Sequence, residues 1–168
     1  MGDMALKNTE ESCLEKLKEE YGKFRGKYKL PEFRELNRVF DIEESDFESD
    51  FLLRKIRKVI SERVAGYLRF IEVILNPSIA PMFFFKIIKK LDSEDRKVLG
   101  EIYERLGKTE VDAVGLDLEY KEEKEAQFIS ELFETFDDNV GKQLKEIVGK
   151  LGGGKGVSKK ESNGSYFG

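Results

Sequence analysis

Residues 45–91, SDFESDFLLRKIRKVISERVAGYLRFIEVILNPSIAPMFFFKIIKKL, decide how this chain folds. Ser45-Asp46-Phe47-Glu48 has the form of a capping box, a hydroxyl followed three residues on by a carboxylate. Asp46, Glu48 and Asp50 add negative charge where a helix dipole favours it. Phe47, Phe51, Ile56, Val59, Ile60, Tyr67, Leu68, Ile71, Ile74 and Leu75 then recur at helical spacing rather than in alternation. An unbroken rod to Leu75 would hold roughly 30 residues and span about 45 Å. Gly66 is its weak point, at a cost of about 1 kcal/mol against alanine.

Asn76-Pro77 ends the rod, because proline lacks an amide hydrogen and pushes its predecessor out of the α region. A second helix is expected to start near residues 79–81, where Pro81 is tolerated in a first turn. Met82, Phe83, Phe84, Phe85, Ile87, Ile88 and Leu91 cover almost its whole circumference. Helices apolar all round are usually central. The pattern therefore predicts a helical hairpin as the spine of the core.

Around this hairpin the 168 residues fit a single all-α domain of six or seven helices, residues 1–148, with a disordered Gly/Lys/Ser-rich tail, residues 149–168. Asn8-Thr9-Glu10-Glu11 reads as a cap, followed by Leu14, Leu17, Tyr21, Phe24 and Tyr28 on one helical face. Residues 32–40 present Phe33, Leu36 and Phe40 from a short helix. Residues 41–50 are acidic without a base, which predicts a solvated loop. Asp92-Ser93-Glu94-Asp95 caps a helix that buries Val98, Leu99, Ile102, Tyr103 and Leu106, and Gly107 is placed to end it. Leu116, Leu118 and Tyr120 alternate with acids, so residues 108–120 are expected as an extended crossover. Residues 122–136 bury Ala126, Ile129, Leu132, Phe133 and Phe136, and Asp137-Asp138-Asn139 interrupts them before Val140, Leu144, Ile147 and Val148.

Composition narrows the chemistry. The chain has no histidine and one cysteine, Cys13, which removes the commonest general base, the commonest metal ligand and any internal disulfide. No cofactor is expected. Charged residues make up 38% of the chain, a balance resembling proteins of hot environments. No signal peptide is visible at the start, so a cytoplasmic location is expected. Residues 70–88 carry only Glu72 and Lys86 as charges, but Asn76, Pro77 and Pro81 divide them into pieces too short to span a bilayer. No membrane association is expected.

Several motifs fail on inspection. Gly149-Lys150-Leu151-Gly152-Gly153-Gly154-Lys155-Gly156 resembles a phosphate loop, but Gly156 stands where a Ser or Thr must hold magnesium, and a helix rather than a strand precedes it. Counted as an EF-hand from Asp41, the sixth and twelfth positions hold Asp46 and Leu52 instead of the required Gly and Glu. Glu122, Glu123, Glu125, Glu131 and Glu134 suggest a magnesium-dependent nucleotide hydrolase, yet most of them fall on the solvent side of their helix. Arg54, Lys55, Arg57 and Lys58, with Lys155, Lys159 and Lys160 in the tail, form a candidate nucleic-acid patch. The tail carries +3 of a total of −4, which leaves the body at −7, and so acidic a body favours intramolecular pairing of the patch.

Met82-Phe83-Phe84-Phe85 is the strongest interaction signal. Three consecutive phenylalanines project about 100° apart, and one small domain is hard pressed to cover them all. The leading expectation is a non-enzymatic helical interaction or adaptor protein with a protein partner or self-association through this helix. A nucleic-acid-associated protein and a magnesium-dependent hydrolase are the alternatives.

Overall fold

The computed structural model describes residues 2–44 and 51–152, and every regular element among them is helical. The capping box at Ser45 lies outside the described residues. Helix α3, Leu52–Leu75, is the axis of a helical bundle. It buries Leu53, Ile56, Ile60, Val64, Ile71 and Ile74 on one stripe, each completely or almost so. Burial of each such side chain contributes on the order of 1.5–3 kcal/mol. Phe51 precedes the helix in a left-handed conformation, φ 58°.

The main partners of α3 are α5, Ser93–Leu118, and α6, Glu122–Thr135. This corrects the predicted hairpin. Pro77 starts a 3₁₀ turn, Pro77–Ile79, and Pro81 leads into α4, Met82–Ile88, only seven residues long. Ile88 is the one fully buried residue of α4. Leu91 is buried just beyond it, and Phe84 and Ile87 pack partly against the core. A helix of two turns is too short to fill the groove beside a rod of 24 residues, so the longer α5 takes that place.

Helix α1, Gly2–Tyr28, runs straight through the expected cap at residues 8–11. Its Tyr21 is buried and donates its hydroxyl to the Pro31 carbonyl at 2.9 Å. The same ring meets Phe33 of α2, Phe33–Phe40, edge to face. The acidic stretch after α2 is not wholly solvated, because Ile42 is fully buried in a 3₁₀ turn, Ile42–Glu44.

The cap of α5 is as expected. Asp92 Oδ1 accepts the Asp95 amide at 2.8 Å, and Asp95 Oδ2 accepts the Asp92 amide at 3.2 Å. Gly107 does not end the helix, and the predicted crossover shrinks to a corner in which Glu119 and Lys121 are extended. Ala113 and Leu116, buried against the bundle, carry α5 onward. One glycine costs about 1 kcal/mol, which two buried contacts offset. Nor do Asp137-Asp138-Asn139 break the chain. They lie in a π turn, Phe136–Val140, that joins α6 to α7, Gly141–Leu151, as one rod. Helix α7 passes the predicted boundary at residue 148, and its Leu151 is buried. Residues 153–168 of the predicted tail lie outside the described residues.

Candidate interaction surface

The two faces of α4 differ sharply. Phe84, Ile87 and Ile88 turn inward, whereas Met82 is 86% exposed, Phe83 63% and Phe85 42%. The Phe83 and Phe84 rings lie 4.3 Å apart between centroids, so the half-buried ring supports the exposed one. Lys86 and Lys89 are exposed on the following turn. Lys90 instead donates to the Leu151 carbonyl at 2.8 Å and ties α4 to the end of α7. The expectation of a centrally buried α4 is thus overturned. The rule for helices apolar all round presumes neighbours on both sides, and no other element among the described residues packs extensively against α4. No helix among the described residues is long and apolar enough to cross a membrane.

The basic run on α3 has a different fate. Arg57 is 1% exposed. Its Nε donates to Glu125 Oε2 at 2.9 Å and its Nη2 to Asp117 Oδ1 at 2.6 Å. Burial opposes the charge, but the hydrogen bonds that Arg57 donates to Asp117 and Glu125 hold the guanidinium pKa above its ordinary value. Arg57 in turn pulls the Asp117 carboxyl below the usual carboxylate range. Arg54 Nη2 donates to the carbonyls of Asp117 at 2.7 Å and Leu116 at 3.3 Å, where a cation complements the end of α5. Its guanidinium also sits over the Tyr120 ring, which meets Phe51 edge to face. Lys55 is half-buried and Lys58 exposed. The two arginines of the predicted nucleic-acid patch are therefore spent inside the protein, locking α3 to the α5–α6 corner. Lys155, Lys159 and Lys160 lie outside the described residues.

The glutamates of α6 also divide. Glu122 accepts from Tyr28 at 2.6 Å and Lys27 at 2.8 Å, which fastens α6 to α1. Those bonds, Lys27 foremost, lower its pKa. Glu131 accepts from Gln127 at 2.7 Å, while Glu123 and Glu134 face solvent. Glu125 is fully buried, and its Oε1 has no protein partner. Contrary to the expectation of a solvated face, Glu125 belongs to the buried stripe of Ile129 and Leu132. Among the described residues no three carboxylate, thiol or imidazole side chains converge to hold a metal ion.

No family model matches this chain, and neither the curated proteins nor the solved structures contain a significant match.

Proposed function

We propose that this chain is a helical interaction module that docks through α4 onto a protein with an apolar groove rimmed by acids. One observation carries the reading: Met82, Phe83 and Phe85 stand exposed together on a helix anchored by the buried Ile88. Grouped apolar side chains of this size mark interaction surfaces, and aromatic residues dominate binding energy at such contacts. Lys86 and Lys89 beside them set the sign of the partner. Exposed cations beside an apolar patch suit a partner whose groove has an acidic rim.

The test is a photo-reactive residue placed at Phe83, with Glu62 on the exposed side of α3 as control. One protein cross-linked from position 83 in extract of the native host, absent from position 62, is expected. Its yield should fall at least tenfold with Phe85→Ser and should fall again with Lys86→Glu/Lys89→Glu. Cross-linking only to a second copy, to nucleic acid or to lipid, or equal yield from both positions, overturns the proposal.

A further inference from the structure

A second feature is a cleft of about 560 Å³ lined by residues of α2, α3, the π turn and α7. That is within the size range of small-molecule sites. Its floor is apolar and partly aromatic: Phe136 is buried beneath it, Tyr67 lies 5.5 Å from Phe136 between ring centroids, and Val39 and Leu144 complete it. Its rim is cationic. Arg38 donates to Asp137 at 2.8 Å, so these two cancel, and Lys142 and Lys145 remain. Among the described residues neither lysine has an ion-pair partner. A rim of net positive charge stands out on a chain of net charge −4.

The backbone that shapes the cleft is itself unusual. The Gly141 amide donates to the Phe136 carbonyl, the bond that defines the π turn. A Cβ at Gly141 would lie 2.9 Å from that carbonyl oxygen, so the turn requires glycine. An extra residue in a helical turn rotates everything after it, and Lys142 and Lys145 of α7 line the cleft together with Arg38. Such π insertions occur frequently at functional sites. The groove between α5 and α6, about 420 Å³, makes a useful contrast, because Asp112, Glu119 and Glu131 rim it against Lys124 alone.

From this geometry we infer that the cleft binds a small organic anion with an apolar body, an acyl or aryl carboxylate, its body on Phe136 and Tyr67 and its carboxylate between Lys142 and Lys145. An apolar floor supplies affinity without direction, and the paired cations orient the one charged end.

Decanoate and 2-naphthoate, titrated separately into the full-length protein with amide and methyl shifts followed by NMR, test the inference and separate the acyl from the aryl source. Shifts concentrated at Val39, Tyr67, Leu144 and Val148 are expected, with saturation in the micromolar to low millimolar range. Lys142→Gln/Lys145→Gln should weaken binding about tenfold, and Val148→Asp, at a half-exposed site on the cleft wall, should weaken it more without altering the melting temperature. Lys86→Gln/Lys89→Gln should leave it unchanged. Equal binding of decanol and decanoate, shifts centred on α4, or no saturation with either acid overturns the inference.

Discussion

Arg57 and Glu125 show what a single charged pair does inside an otherwise apolar interface. Arg57 falls on the stripe of Leu53, Ile56 and Ile60, and Glu125 on that of Ile129 and Leu132, so both are carried into the core. Each is unfavourable there alone. Together, with Asp117 at the surface end, they link α3 to α6 and to the end of α5. Arg57→Met leaves the Glu125 carboxylate buried without its partner and is expected to cost about 3–5 kcal/mol in urea unfolding. The double change Arg57→Met/Glu125→Leu is expected to restore most of that loss, because the pair is then replaced by packed apolar side chains. A double variant no more stable than Arg57→Met would show that the pair is not coupled. Both residues were findable in the sequence, since each puts a charge at a position the apolar period marks as buried.

At the level of the helix, two glycines with the same residue type call for opposite outcomes. Gly66 lies mid-way along α3 with open space where a Cβ would go. Gly66→Ala is expected to stabilise the protein by about 0.5–1 kcal/mol through lost chain entropy alone. Gly141→Ala meets the Phe136 carbonyl and is expected to destabilise by about 1–3 kcal/mol, the usual range for forcing atoms into filled space. Paired thermal melts check both signs. The π turn also left a trace in the sequence. Leu132, Phe136, Val140 and Leu144 are buried at three successive steps of four, and each such step overshoots an α-helical turn by about 40°. An uninterrupted α-helix would have swung Leu144 off the core. Only a wider turn keeps all four inward, and the polar Asp137-Asp138-Asn139 disguised this as a break. The second half of α5 also has a trace in the spacing, since Leu99, Ile102, Leu106, Ala113 and Leu116 continue one stripe past Gly107.

For the molecule as a whole, charge joins elements that are distant in sequence. Arg57 with Asp117, Lys27 with Glu122, and Arg38 with Asp137 tie α3 to α5, α1 to α6 and α2 to the π turn. The Asp117 and Glu122 carboxyls both have pKa values below the ordinary range in the folded state. A group whose folded pKa is depressed contributes stability above its unfolded value, near pH 4 for these acids, and that stability is lost as pH falls through the folded value. Acid should therefore unfold the bundle progressively below about pH 4. The stability difference between the native chain and Asp117→Asn should be greatest near neutrality and close as the folded Asp117 is protonated. A difference independent of pH, measured by urea titration from pH 7 downward, would remove electrostatics as its cause.

Hydrophobic period, caps and proline placement are local properties, and they determined the all-helical class, the span of α2, the cap of α5 and the stop of α3 at Asn76-Pro77. Helix α3, however, begins only at Leu52, past the acids expected in its first turns. Which helix lies beside α3 is a competition over buried area between segments far apart in the chain. No window of sequence contains it. That competition went to α5, left Met82, Phe83 and Phe85 of α4 facing outward, drew Arg57 and Glu125 inward, and brought residues of α2 and α7 to the walls of one cleft at Phe136.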